Sequence, residues 1–257
     1  MIINFTKSSK QDPAYLVSGV SQQSHWLAEN SVLSGSTVEN VTDEFGLENL
    51  VKFSTSTPTY EANGWGGDSG PSILINGHSL TANGWATRVS GSLTPFIMTA
   101  KIQILETTDY HTPWGFSSGT NDNYPLHLSP RKRWSYNQSE VFRCAYTSYS
   151  STYFTQIYGT PNIWDQGRHN LVAEYTGGAH RLWIDGAEMS YAYNKTRYVG
   201  YYCNFTTFMV GGYGNLGTNS PCNLRLAELH IYRPFHGVFS NNIRNKLITD
   251  LQNRRGT

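Results

Sequence analysis

Charge is scarce in this chain. Only 14% of its 257 residues are Asp, Glu, Lys or Arg, and 19 basic against 18 acidic side chains leave a net charge of +1. A chain so close to neutral has no long-range pull on nucleic acid or on an anionic membrane. Cysteine is scarcer still: Cys144, Cys203 and Cys222 are odd in number and form no C-x-x-C pair, which argues against a zinc knuckle. A Cys203–Cys222 disulfide stays open, with buried free thiols the favoured reading. Long apolar runs are missing; stretches such as Phe96-Ile97-Met98 and Ile102 to Leu105 are far too short to span a bilayer. The opening residues MIINFTKSSKQDPAY turn polar too soon for a signal peptide. The expectation is therefore a mature form, or a route out of the cell that needs no such peptide.

Catalytic motifs are missing as well. There is no H-E-x-x-H among the eight histidines. Glycoside cleavage needs two carboxyl groups facing each other across the sugar, and no E-x-D-x-x-E strand occurs. Asp185 and Glu188 offer a candidate acidic pair, but Asp185-Gly186 reads as a tight turn. Arg143, Gln156 and Tyr158 assemble a polysaccharide-lyase set only loosely. Five N-x-S/T triplets, at Asn4, Asn40, Asn137, Asn194 and Asn204, carry no weight in a chain this rich in Asn, Ser and Thr.

What is abundant is turn and ring. The chain holds 24 Gly, 17 Tyr and 7 Trp, a mixture that suits strands joined by many turns and not a helical bundle. Residues 1–44 are polar, with scattered large apolar residues, and read as an arm or irregular strands. Strands are expected at 50–53 and 72–75, with Asn76-Gly77 and Asn83-Gly84 as hairpin turn signals. PFIMTAKIQIL (95–105) is the best long strand: Phe96, Met98, Ala100, Ile102 and Ile104 share one face, Ile97, Thr99, Lys101 and Gln103 the other, with burial expected mainly on one side. Residues 108–138 read as a long loop region, followed by a hairpin over 141–158. Residues 170–189 form a three-stranded meander closed by Asp185-Gly186, a type I′ signal. In LRLAELHIY (224–232), strict alternation puts Leu224, Leu226, Glu228, His230 and Tyr232 on one face. Ser240 can cap a helix over about 240–254, in which Ile243, Leu247 and Leu251 recur every four residues.

Three stretches, TPFIMTAKIQI, GRHNLVAEYTGGAHRLWIDGAEM and RLAELHIYRPFHGVFSNNIRNKLITDL, resemble in order and spacing the strands of the laminin-G-like, concanavalin A-like lectin-glucanase family. The resemblance covers about residues 45–252. It departs from the family at Gly167-Arg168, where a Trp often stands, and at Thr176-Gly177-Gly178 in place of Asp-Gly. It implies an all-β, two-sheet antiparallel jelly-roll sandwich, with a polar N-terminal arm before residue 45 and a short C-terminal helix. It also implies a structural role for Glu228 in the closing strand. Laminin-G-like domains often hold calcium, and the oxygen-rich Thr120–Asn123 loop offers Asp122 and Asn121 as ligands. One carboxylate is few for a six- to eight-oxygen shell, and the turn-forming reading of these residues is favoured.

Sugar binding needs aromatic faces together with amides or acids for the hydroxyls. Trp114, Asn121, Asp122, Asn123, Tyr124, Trp134 and Tyr136 cluster in the 108–138 region, with Trp65 in a Gly-rich loop of its own. Rings outside alternating strands are expected to be exposed, against the plain alternative that they plug the sandwich ends. The functional expectation is a non-enzymatic module that recognises carbohydrate or a cell-surface glycoconjugate, serving as a virion surface adhesin. The alternatives are a structural virion protein, a bacteriophage capsid-decoration or tail component working through virion partners and symmetric homo-oligomers, and a glycan-cleaving enzyme.

Overall fold

The computed structural model describes residues 2–3, 19–54, 56–66, 70–77, 80–89, 91–92, 95–105, 113–117, 127–130, 142–148, 151–157, 166–175, 180–189, 191–194, 202–203, 205–212, 222–235 and 237–253. In chain order the first strands are β1 Ile2–Ile3, β2 Val20–Ser34, β3 Thr37–Asp43, β4 Leu50–Lys52, β5 Thr59–Glu61, β6 Ser72–Asn76 and β7 Leu80–Thr81. Helix α1 (Asn83–Val89) follows, then β8 Gly91–Ser92, β9 Phe96–Ile104, β10 Trp114–Ser117, β11 His127–Pro130, β12 Phe142–Ser148 and β13 Ser151–Ile157. The last strands are β14 Arg168–Tyr175, β15 His180–Ile184, β16 Ala187–Glu188, β17 Tyr191–Asn194, β18 Tyr202–Cys203, β19 Thr207–Val210 and β20 Asn223–Pro234, and α2 (Asn241–Asn253) closes the chain. The fold is all-β with two short helices among the described residues.

Every pairing is antiparallel. One run goes β16–β15–β14–β9–β20, and beyond β20 the N-terminal half pairs with β6 and the C-terminal half with β2. A second run goes β4–β7–β19–β10–β11–β12–β13–β17 and joins the first through β3. The pairings β20–β6–β5–β3–β2–β20 close on themselves as a ring of five strands. The two runs share one core. Phe208 and Phe116 of the second run meet Trp26 of β2 and Phe96 of β9, with ring centroids 6.3 Å apart for Trp26–Phe208 and 5.3 Å for Phe96–Phe116. The inward positions of β9 (Phe96, Met98, Ala100, Ile102 and Ile104) all belong to this cluster.

Several expectations are corrected here. Of the two readings of residues 1–44, arm or irregular strands, residues 20–43 take the second: β2 is a 15-residue strand whose inner residue Trp26 is fully buried, and its pairing with β3 is broken by register shifts. β9 is buried on both faces, not one. Strict alternation also fails in β20, where a register shift between Leu226 and Glu228 places an extra residue, Ala227, in the strand. Leu224 and Leu226 therefore point inward together with Leu229 and Ile231, while Arg225, Glu228, His230 and Tyr232 point outward. Asn76-Gly77 does not turn a hairpin, because β6 pairs with β5 and β20 whereas β7 pairs with β4 and β19. Gly77 (φ +75°) instead carries the chain from one run to the other, with its carbonyl against Gly211, where a side chain would collide with it. Asn83-Gly84 opens α1. Within the expected 108–138 loop lie β10 and β11. Cys222 is buried in the main core.

The outward face of β9, β14 and β20 is roofed by α2. Ile97, Val172, Trp183 and Tyr232 pack there against Phe239, Leu247 and Leu251. Ser240 caps the helix, its hydroxyl accepting from the Ile243 amide at 3.2 Å. Arg244 then reaches down to buried Glu174, with two charge-assisted hydrogen bonds of 2.7 Å from Nε and Nη2. Removing one partner of such a pair leaves the other charge buried and uncompensated. Glu174→Ala is expected to cost about 3 kcal/mol in urea unfolding. The double change Glu174→Met with Arg244→Met should recover most of that loss.

Candidate functional site

The register orders the outward face into rows. Nearest the C-terminal helix lie Glu174, Ile97, Tyr232 and Gln23, and next come Val172, Thr99, His230 and His25. The third row is Asn170, Lys101, Glu228 and Leu27, and the fourth is Arg168, Gln103, Arg225 and Leu74. The face thus passes from apolar under the helix to polar at the far end, where β9 ends and β14 and β20 begin.

The third row is buried and internally satisfied. Lys101 Nζ stands 3.7 Å from Glu228 Oε1, and the other oxygen of Glu228 lies 3.1 Å from His230 Nε2. His230 Nδ1 is 3.1 Å from the Tyr232 hydroxyl. A neutral imidazole donating from Nε2 to the carboxylate and accepting at Nδ1 from the phenol fits both contacts. Both oxygens of Glu228 are engaged, so its place is in the frame of the sheet.

The fourth row reaches solvent. Arg225 donates to Glu61 on β5, Nε to Oε2 at 2.7 Å, and Ser72 Oγ also donates to Glu61 Oε2 at 3.3 Å. Arg225 Nη1 donates to Gln103 Oε1 at 3.3 Å, and Gln103 Nε2 donates to the Gln166 carbonyl at 2.8 Å. Gln166 in turn donates to the Leu105 carbonyl at 3.2 Å. Each side chain in this chain of contacts is held by a neighbour, so the row is fixed before anything binds. At its end Arg168 lies exposed, its guanidinium 5.6 Å from the centre of the Trp65 ring. Trp65 sits in the turn that follows β5, where the Gly64 amide donates to Glu61 O and the Gly66 amide to Asn63 O.

The acidic residues of the 167–189 meander serve geometry. Asp185 adopts φ +50° in the β15–β16 turn, and its carboxylate accepts from the Asn170 amide at 2.8 Å and meets His169 Nδ1 at 2.8 Å. Glu188 is clamped by Arg181 through two hydrogen bonds of 2.7 Å.

The expected sugar-stacking rings fare differently. Trp114 lies in β10 opposite Val210 and is 3% exposed, inside the main core. Its exposure was an expectation drawn from a loop that is in fact a strand, and this is corrected. Trp65 is also 3% exposed, covered in part by Arg168, so its face is not open as expected. Asn121, Asp122, Asn123, Tyr124, Trp134 and Tyr136 lie outside the described residues, and with them the Asp122–Asn121 calcium set. Among the described residues no group of three or more His, Cys, Asp or Glu gathers as for a metal ion. Also among the described residues, no helix is long and apolar enough to cross a membrane. Gln103, Arg225 and Glu61 were not among the expected site residues, and Arg168 entered only as a departure from the resembled family. Their signal was the outward set of three strands turning polar at one common end.

No protein-family model matches the chain, and a search of curated proteins finds no match. Among solved structures the chain is similar to domain 4 of an extracellular arabinanase from Geobacillus stearothermophilus in complex with arabinotriose. The identity is 18% and the TM-score 0.56, over 89% of this chain and 97% of that one. It is also similar to part of Trypanosoma rangeli sialidase. One complex with a difluorosialic acid gives 11% identity and a TM-score of 0.52, over 91% of this chain and 34% of that one. A mutant displaying trans-sialidase activity gives 14% and 0.53, over 92% and 34%. The chain therefore spans about a third of the sialidase and nearly all of the arabinanase domain. At these identities the likeness is one of fold.

The burial of Trp114 sets a direct expectation. Trp114→Ala should cost about 3 kcal/mol or more in thermal or urea unfolding, as for other large-to-small changes at buried aromatic residues.

Proposed function

We propose that this chain is a non-enzymatic carbohydrate-binding domain with a concanavalin A-like two-sheet sandwich. The glycan lies along the fourth row of the outward face, against Arg168, Gln103, Arg225 and the turn after β5. The observation that carries this reading is the locked polar row where the sheet face meets solvent. Fixed planar amide and guanidinium groups suit sugar hydroxyls, because their orientation costs little further entropy on binding. The fold likeness to an arabinanase domain bound to arabinotriose supports the sugar class. The non-enzymatic part draws on the acids: Glu61, Glu174, Glu188, Glu228, Asp43 and Asp185 are each tied to a cation, a histidine or backbone amides.

The test is isothermal titration with arabinotriose and with a panel of other oligosaccharides. A change of Arg225 to Gln should weaken binding about tenfold, the scale of one lost charge-assisted hydrogen bond, with circular dichroism unchanged. Trp134→Ala is the companion measurement. If it abolishes binding while Arg225→Gln leaves it intact, the sugar lies on the 118–141 segment and not on this row. Absence of binding to every member of the panel would sink the assignment.

A further inference from the structure

Resting on that reading, we propose that the bound sugar carries a carboxylate, and that Arg168 is the residue that selects it. Across the fourth row two guanidinium groups stand against one carboxylate. Glu61 is committed to Arg225, with Nε–Oε2 at 2.7 Å and Nη2–Oε1 at 3.5 Å. Gln103 spends its amide oxygen on Arg225 and its nitrogen on the Gln166 carbonyl. Arg168 is left with its planar donors unspent: among the described residues no carboxylate or carbonyl takes them, and its contact is the Trp65 ring.

An exposed arginine is ordinarily a solvated, mobile side chain. Two features separate Arg168 from that case. Its guanidinium lies 5.6 Å from the centre of an indole that is itself packed, at 3% exposure, an arrangement favoured by cation–π attraction. It also fills the space beside Gly66, where a Cβ would overlap the guanidinium, and Gly66 holds φ +90°, a conformation that L side chains rarely adopt. Ring and glycine together form a seat. A guanidinium in a seat presents two parallel N–H donors at no further cost in rotamer freedom, and that fork matches the two oxygens of a carboxylate. Lysine has no such geometry. The chemical class is a glycan with uronic or other carboxylated sugars; its hydroxyls fall to Gln103 and Arg225 and its acid group to Arg168.

The experiment titrates the full chain with an oligogalacturonate, with sialyllactose, with neutral arabinotriose and with dextran sulfate, each at low and at high salt. The expected result is binding to one of the two carboxylated probes at least tenfold tighter than to arabinotriose, weakened by salt; which one binds names the source of the carboxylate. Arg168→Ala should erase the preference for the acidic sugar. Arg168→Lys should keep the charge yet restore only part of it, and Gly66→Ala, which displaces the guanidinium, should behave like Arg168→Ala. Equal affinity for arabinotriose and the acidic probes, or a preference that survives Arg168→Ala, overturns the carboxylate proposal and leaves the carbohydrate reading intact. Tightest binding to dextran sulfate overturns it in favour of general anion attraction. No binding to any probe overturns both.

Discussion

The molecule is organised around two neighbouring strands, β9 and β20, that are buried on both faces. Inward they carry an ordinary apolar core. Outward they carry Thr99, Lys101, Gln103, Arg225, Glu228 and His230, which cannot be taken from water without partners. Each polar group therefore needs a neighbour at a definite distance, and register supplies it. Lys101 finds Glu228, Glu228 finds His230, and Arg225 finds Glu61 and Gln103. The same demand explains the helix. Apolar Ile97, Val172, Trp183 and Tyr232 need a roof, and Glu174 on that face needs a cation; Arg244 and the apolar stripe of α2 answer both.

The strands were legible because their period is two and the turns between them are chemically marked. Asp185-Gly186 and the four-residue recurrence of Ile243, Leu247 and Leu251 are local signals, and local structure follows them. Where the reading missed, the deciding contact was distant in sequence. Residues 20–34 look like an arm because their partners are distant in sequence: the Ser24 hydroxyl and the His25 backbone amide both donate to Asp43, and the strand pairs with β20. Asn76-Gly77 has the chemistry of a hairpin, yet the chain there crosses between runs because β6 finds a better edge in β20.

The candidate site was less legible than the fold. Rings were sought as the mark of sugar binding, and Trp114 and Trp65 proved to be packed. Trp114 sits in a strand of four residues, where the alternation of Trp114 and Phe116 with Gly115 and Ser117 is too short to announce a strand. The fourth row stayed hidden for another reason. Arg168, Gln103, Arg225 and Glu61 come from four separate segments, and only strand register brings them side by side. Arg168 did stand out as a departure from the resembled family, which often has an aromatic residue near that place.

The extra residue in β20 has an evolutionary corollary. Ala227 works as a phase shifter: upstream of it odd-numbered side chains look out, and downstream even-numbered ones do. Loss of that single codon would bring the two halves back into step and drive either Glu228 and His230 or Leu224 and Leu226 to the wrong side. Ala227 is small and only partly buried, so its spacing more than its chemistry is what descendants of this chain must preserve. Substitution there should drift freely in a lineage, while insertion and deletion should be purged.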